Sequence, residues 1–389
     1  MTEPGRKACI VGIGETDYAK RGGIADRSEF QLACQAILAA AADAGLPVEA
    51  IDGFASFNND PNVPNLLQAA LGIPRLRFAG MPFGGGGGGS CGSVALAQAA
   101  VESGKAETVA VFRSLCQGQA RRYGQHSSGR LHGSYVHPFG LFAPPQMMAL
   151  IVQRYLHETG TTIEQMAEVS LICRDNATRN PRAVMRRPMT LEDYLASRFV
   201  AEPLRLFDCC LESDGACAVI VTTRERARDL DVKPVDILAA VQGCDPGFGT
   251  GPLGSHNMPA ESYTSVNAGV VARDLYGQAD LKPEDIDVAQ FYDHFSGMVL
   301  IGLEDYGFCA RGEAGAFLAD GHGRWPNGRL PINTAGGNLS EAYIIGFNHV
   351  LEGVRQLRGQ SSSQVEGART CLVTGGAAAA PSSALLLAA

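Results

Sequence analysis

Gly84 to Gly104 reads GGGGGGSCGSVALAQAAVESG. Six glycines run into Ser90-Cys91-Gly92-Ser93, where an apolar helical pattern begins. Without a Cβ, such a backbone reaches unusual angles and lies close to a ligand or another backbone. Val94, Leu96, Ala97, Ala100 and Val101 supply the apolar residues, and Gly104 is placed to end the helix. A strand, Val109-Ala110-Val111-Phe112, follows. Small residues feeding a helix start leave backbone N–H groups free to donate, and the helix dipole favours negative charge there. The stretch predicts a turn that presents a nucleophile or an anionic ligand. Its plain alternative is a glycine loop ahead of a core helix.

The chain around it has 389 residues, 46% hydrophobic and 19% charged, enough for one large or two medium domains. A net charge of -8 argues against nucleic-acid binding and gives no basic footprint for a membrane. The N-terminus, MTEPGRKACIVGIGE, lacks the apolar core of a signal peptide, and no apolar run approaches the ~20 residues of a spanning helix. Eleven cysteines are scattered without a CxxC pair. An odd count without a signal peptide suggests reduced thiols in a cytoplasm, and no metal site in this chain. The adjacent Cys209 and Cys210 read as buried small apolar residues.

Strand and helix patterns alternate along the chain. Strands are predicted at Lys7–Gly14, Ile51–Phe57, Thr108–Arg113, Ala216–Val221, Ile237–Gly243, Val288–Tyr292, Thr370–Thr374 and Ser383–Leu387. Helices are predicted at Glu29–Ala44, Gln146–Glu158, Thr162–Asn180, Leu191–Arg198, Ala260–Gly277 and Phe295–Tyr306, and Gly336–Tyr343 leads into a further one that reaches about Leu357. Glu212–Gly215 reads as a polar turn. Two stretches repeat. AILAAAADAGLPVEAIDGFASF parallels AGVVARDLYGQADLKPEDIDVAQFYD, and the glycine run with its helix and strand parallels the segment from Gly336 to Gly376. Two β/α halves of like order, 1–232 and 233–389, imply a pseudo-twofold fold with a site where the two helix starts meet. Cys116–Ala143, rich in Gly, Ser, His, Arg and Tyr, has the character of a loop that folds over a site.

PLRLFDCCLESDGACAVIV, Pro203–Val221, is close to a signature of one branch of the thiolase superfamily. Nearly the whole chain resembles that branch, the sterol-carrier-protein-X or lipid-transfer type. The resemblance implies an α/β thiolase fold, two similar halves in five αβαβα layers, an inserted loop domain at about 117–202, and a homodimer. The departures from the family pattern carry the chemistry. Aligning Gly92-Ser93-Val94-Ala95-Leu96 puts the family's nucleophilic cysteine at Gly89, with Cys91 two residues on. The His-Asp-Cys-Phe-Ser box reads Tyr292-Asp293-His294-Phe295-Ser296. The Gly-Gly-x-x-Ser-x-Gly-His-Pro-x-Gly box reads Gly336 to Gly346 with Tyr343 in the histidine's place. Cys371 sits one place off the position near the final Gly-Gly, which on a strand points it to the other face.

Losing both thiolate and histidine ends acyl transfer through a covalent intermediate. The Tyr/Tyr pattern is similar to that of thiolase-like steroid side-chain aldolases, which cleave a β-hydroxyacyl-CoA. The resemblance thus implies Tyr292 and Tyr343 as acid and base, with His294 polarising or orienting Tyr292, and Asp293 bracing the turn. Tyr343, near a predicted helix start, is assigned as the base on the β-hydroxyl and Tyr292 as the acid; the swap stays open. The resemblance further implies that Gly89, Ser90, Gly337 and Gly376 frame the acyl-CoA. His126, His132 and His137 with Arg121, Arg122 and Arg130 either meet the CoA phosphates or form a solvated or dimer-contact loop. No cofactor is implied beyond the CoA of the substrate. The implied partner is a separate small chain with a zinc ribbon and an OB fold, giving a heterotetramer. Two other readings stand beside this one: an acetyl-CoA acyltransferase using Cys91, and a non-catalytic lipid-CoA-binding subunit.

Overall fold

In the computed structural model, which describes residues 6–83, 86–120, 137–245, 263–378 and 381–389, the strands alternate their side chains between helical layers. The strands are β1 (Ala8–Glu15), β2 (Ala19–Lys20), β3 (Gly53–Ala55), β4 (Phe78–Gly80), β5 (Thr108–Cys116), β6 (Phe199–Ala201), β7 (Leu204–Arg205), β8 (Ser213–Thr223), β9 (Val235–Gly243), β10 (Val288–Gln290), β11 (Thr370–Gly375) and β12 (Ser382–Ala388). The helices are α1 (Glu29–Asp43), α2 (Pro64–Ala70), α3 (Ser90–Glu102), α4 (Pro144–Thr159), α5 (Ile163–Arg179), α6 (Leu191–Ala196), α7 (Arg224–Ala227), α8 (Gly269–Ala279), α9 (Ser296–Asp305), α10 (Ala314–Ala319), α11 (Gly337–Ser340) and α12 (Phe347–Arg358). Capping boxes at Ser28/Gln31 and Thr162/Gln165 fix the starts of α1 and α5.

Strand order is β4-β3-β5-β8-β1 in the first part of the chain and β10-β11-β12-β9 in the second, joined by a short β1–β9 pairing. The directions recur as well. β3 runs parallel to β5, and β8 antiparallel to both β5 and β1. Likewise β10 runs parallel to β11, and β12 antiparallel to both β11 and β9. A parallel bridge between Ala289 and Ile332 stands where β4 stands beside β3.

On β8, Cys217, Val219 and Val221 enter a central apolar cluster, while Ala216, Ala218 and Ile220 enter an outer one. On β12, Leu385 and Leu387 enter the same central cluster, while Ala384 and Leu386 enter a third. The period of two along each strand thus feeds two helical layers at once. Helices α3 and α12 fill the central cluster, α1 covers the first set of strands, and α4, α5, α8 and α9 cover the second. This is the αβαβα layering that the resemblance implies.

Two expectations need correction. Glu212–Gly215 is not a free turn: β8 begins at Ser213, because the buried Asp214 carboxylate accepts the N–H groups of Gly22 (2.7 Å), Ile24 (3.2 Å) and Gly118 (3.0 Å). In the described part of 260–277 the helix starts only at Gly269. The Asp305 carboxylate accepts from Ser265 Oγ at 2.7 Å and Val266 N–H at 2.9 Å and holds 265–268 as a turn. The segment Gly336–Tyr343 that leads into the last long helix holds a short helix of its own, α11, and α12 follows after 341–346 and runs to Arg358. Ile345 (φ +50°) and Gly346 (φ +77°) reverse the chain there. The described part of the 117–202 insertion is largely helical, holding α4, α5 and α6. Among the described residues no helix is long and apolar enough to cross a membrane.

Candidate active site

Tyr292 leaves the end of β10, and Tyr343 lies in the link between α11 and α12. Both are buried, and their hydroxyl oxygens are 3.0 Å apart. The Tyr292 ring slots between two glycines: a Cβ at Gly87 or at Gly346 would overlap it. Gly87 belongs to the 3-10 turn Gly86–Gly89 that feeds α3, and Gly346 caps α12. The starts of the two central helices therefore meet at this ring. The Tyr292 N–H donates to Thr374 Oγ1 at 2.8 Å, and the Tyr343 N–H donates to Ser213 Oγ at 3.1 Å. Ile345, a β-branched residue in the left-handed region, stores about 1–2 kcal/mol of backbone strain two residues beyond Tyr343. Tyr343 is thus not in the first turn of a helix; α12 begins at Phe347, so the expected support from its dipole at that backbone position is absent.

The residue between Tyr292 and His294 organises the surroundings. Asp293 is fully buried. Its carboxylate accepts from Asn338 N–H (2.8 Å), Leu339 N–H (3.2 Å), His349 Nε2 (2.9 Å) and Cys173 Sγ (3.4 Å). His294 packs its ring 5.0 Å from that of Tyr292 and 4.8 Å from that of Phe295. Its Nδ1 is sealed from solvent without a partner among the described residues. Burial outweighs the nearby Asp293 and lowers its pKa to about 4, so the imidazole is neutral at physiological pH. Glu341, two residues before Tyr343, is buried and accepts from Asn180 and Asn348 at 3.0 Å each. Burial pushes its carboxyl up to about 8.

The cysteines sit elsewhere. Cys91 is fully buried in the central layer, its Sγ 3.4 Å from the Val373 carbonyl, and desolvation raises its pKa to about 12. It has neither exposure nor a thiolate. Cys371 does not point to the other face: it shares the central cluster with Val373, on the same side of β11 as Gly375. It lies four residues earlier, roughly 13 Å along the strand at ~3.3 Å per residue, and packs against Gly353.

The four residues expected to frame the acyl-CoA are all buried. A Cβ at Gly89 would meet Phe57, and one at Gly376 (φ +72°) would overlap the Gly88 backbone. Ser90 Oγ donates to the Gly87 carbonyl at 2.7 Å. Gly337 (φ +61°) leaves room for the Asp293 carboxylate. The Gly375-Gly376 turn and the glycine run are thus packed backbone to backbone. Gln242, which drew no notice in the sequence, holds the run in place: its Nε2 donates to the carbonyls of Phe83 (2.8 Å) and Gly88 (2.9 Å). His349 was equally silent, since neither box contains it. Arg121, Arg122, His126, Arg130 and His132 lie outside the described residues. Of His137 only the backbone is described, at the start of a 3-10 turn.

Comparison with known proteins matches this architecture. Residues 254–388 match the thiolase C-terminal domain-like family. The 17-hydroxy-3-oxo-4-pregnene-20-carboxyl-CoA lyase of Mycobacterium tuberculosis is 44% identical over 98% of this chain and 99% of its own. The steroid side-chain-cleaving aldolase of Thermomonospora curvata is 43% identical over 98% of this chain and 97% of its own. Among solved structures, the Ltp2-ChsH2(DUF35) aldolase superposes with a TM-score of 0.92 at 42% identity, covering 99% of this chain and 98% of that one. An acetyl-CoA acetyltransferase from Syntrophomonas wolfei, 15% identical with a TM-score of 0.71, covers 98% of this chain and 99% of its own and shares the fold alone. With its layered fold and its paired phenols, the chain belongs to the steroid side-chain-cleaving aldolases of the thiolase superfamily.

Proposed function

We propose that the chain cleaves the side chain of a 17-hydroxy steroid 20-carboxyl-CoA thioester by a retro-aldol reaction. The observation that carries this reading is the 3.0 Å contact between the Tyr292 and Tyr343 hydroxyls in a buried site. The name of the mycobacterial relative supports the substrate class. In such a substrate the C17 hydroxyl is β to the thioester carbonyl. Tyr343 takes the hydroxyl proton, and the O–H electrons form the ketone. The C17–C20 bond breaks, and its electrons pass into the thioester enolate. Tyr292 returns a proton to C20. The products are a 17-ketosteroid and propionyl-CoA, and no proton is gained or lost overall. A free phenol has a pKa near 10, so a phenolate base needs favourable surroundings. The helix starts beside Tyr292 favour such charge, and the hydrogen bond lets the two phenols share it. Neutral His294 orients Tyr292 without adding a competing charge.

In this reading the thioester end lies along Gly89, Ser90, Gly337 and Gly376, and the chain consists of two like halves, 1–232 and 233–389. The enzyme is cytoplasmic and pairs with itself. It also pairs with a small zinc-ribbon/OB-fold protein as a heterotetramer, so that any zinc belongs to the partner. The ChsH2(DUF35) component named with the solved relative supports such a partner.

The test is mass-spectrometric product analysis with a 17-hydroxy 20-carboxyl-CoA steroid, with and without the partner. Release of propionyl-CoA and the ketone should fall by about 10²–10⁴ in Tyr292→Phe and Tyr343→Phe and stay within about twofold in Cys91→Ala. Cleavage of a β-keto analogue that requires free CoA and Cys91, with no cleavage of the hydroxy substrate, would overturn the reading.

A further inference from the structure

We propose that Asp293 and His349 form a positioning pair that sets the distance between the two phenols. The inference rests on the acid–base reading of Tyr292 and Tyr343. It starts from where the two tyrosines are held. Tyr292 is fixed by its own surroundings: Gly87 on one side, Gly346 on the other, and the Thr374 hydroxyl on its backbone N–H. Tyr343 is held at its N–H by the Ser213 hydroxyl, and Glu341 two residues before it accepts the Val184 N–H on its carbonyl. Its link contains a strained Ile345 and runs between a four-residue helix and α12. Those bonds reach β8 and the 180–185 segment, so the register of the link against the end of β10 needs a contact of its own.

The Asp293 carboxylate is placed to do so. It is covalently next to Tyr292, and it accepts the N–H groups of Asn338 and Leu339 in α11, on one side of the link. On the other side it takes His349, in the first turn of α12. One carboxylate therefore ties both ends of the Tyr343 link to the Tyr292 segment. A carboxylate only accepts, so His349 Nε2 carries the proton in this contact. Both side chains are 1% exposed or less, so water is poorly placed to replace either one. Gly336 (φ +109°) and Gly337 (φ +61°) bring α11 close enough, and a Cβ on Gly337 would strike the carboxylate. Cys173 of α5 closes the fourth side. Neither Asp293 nor His349 is among the groups that touch the reacting atoms in this reading. Both act through the geometry of the phenol pair.

The pair predicts a split between two reactions of the same site. Cleavage needs both phenols in register. Exchange of the α-protons of propionyl-CoA with deuterated water needs the enolate site and Tyr292. The experiment compares His349→Phe, which cannot donate, with His349→Gln, whose amide nitrogen reaches a similar place. Each is assayed as the full-length enzyme with its partner, and rates are expressed per folded molecule from circular dichroism and gel filtration. The expected result for His349→Phe is a fall of about 10²-fold in kcat for cleavage, the scale of an ~1 Å misplacement. KM should change less than threefold, and exchange should stay within about fivefold. His349→Gln should recover cleavage to within about fivefold of the parent. A folded His349→Phe enzyme that cleaves within threefold of the parent overturns the proposal. So does an equal loss of cleavage and exchange, which would mean a collapsed site, and so does failure of Gln to restore cleavage in a folded enzyme. If His349→Phe does not fold, Asp293→Asn is measured in the same two assays against the same limits. Tyr292→Phe and Tyr343→Phe run alongside: undiminished cleavage in both would sink the acid–base reading itself, a result separate from any outcome at His349.

Discussion

Alanine at Gly87 tests whether the place of the phenol is set by the glycine run. A Cβ at that position falls within 2.6 Å of the Tyr292 hydroxyl oxygen and overlaps two ring carbons. Ordinary contact is ~3.5–4.0 Å and the nearest ring carbon would be 2.0 Å away, so the ring or the turn must move by at least about 1.5 Å. The ring has no room to retreat, since Gly346 backs its other side and Thr374 holds its backbone. The phenol therefore slides along the slot, and its 3.0 Å bond to Tyr343 is lost. Displacement on that scale lowers kcat by roughly 10²-fold, about 2.7 kcal/mol of barrier. Overpacking costs about 1–3 kcal/mol of stability as well. The assay is kcat for propionyl-CoA release, with thermal melting in parallel. Gly53→Ala is the control, because its Cβ would press on Val109 Cγ2 at 2.9 Å in the first set of strands, away from the phenols. It should melt lower yet keep the parent kcat per folded molecule. A Gly87→Ala enzyme that retains the parent kcat would refute the reasoning, since the slot would then be dispensable.

Two further predictions concern the buried groups beside the tyrosines. Folding holds the His294 pKa near 4 against 6.5 in the free side chain. The unfolded chain takes up that proton first as pH falls. The stabilisation is whole above pH 6.5 and is lost toward pH 4, about 3 kcal/mol in all. Urea unfolding of His294→Gln should lack that acid limb, and identical slopes in parent and variant would refute it. Glu341 has the opposite sign. Its carboxyl is raised from 4.5 to about 8, so its contribution is whole below pH 4.5 and is lost as pH rises through 8, roughly 5 kcal/mol in all. Glu341→Gln should flatten that limb and melt higher than the parent at pH 8.5; a lower melting temperature there would count against it.

Much of this arrangement was legible in the sequence because it rests on local pattern. The apolar alternation of Ala216–Val221 and the helical spacing after Ser93 report burial directly, and the repeated order of helix, turn and strand recurs in the strand order of the two parts. Tyr292 and Tyr343 could be named because each replaces a residue in a box of fixed spacing. Their contact could not be read, because 51 residues separate them. Breaks in regular structure were also hidden. The 260–277 stretch has helical spacing, yet Asp305, from a different part of the chain, captures the Ser265 hydroxyl and the Val266 N–H, and the helix starts only at Gly269. Asp214 overrides a turn-like composition in the same way, by gathering three backbone donors. Buried carboxylates that collect distant N–H groups leave no period in the sequence. Gln242 and His349 act at a distance too, and were missed for the same reason.

The substitutions that separate this chain from a thiolase are steric as well as electronic. Putting tyrosine where the family box has histidine lengthens the side chain, and the longer ring needs space. Here that space comes from the glycine run: the Tyr292 ring occupies the volume that any side chain at Gly87 would fill. A side chain at Gly89, the position aligned with the nucleophilic cysteine, would meet Phe57 rather than the phenol. The remaining nearby thiol, Cys91, is turned into the central layer and held protonated by burial, which leaves the turn free of side chains at its crowded point. The physical role of the consecutive glycines follows from this. They let the backbone that feeds α3 close on the Tyr292 ring at the end of β10. Restoring a cysteine at Gly89 alone would then fail to restore acyl transfer, since the histidines that activate a thiolate are absent and a Cβ at Gly89 already meets Phe57.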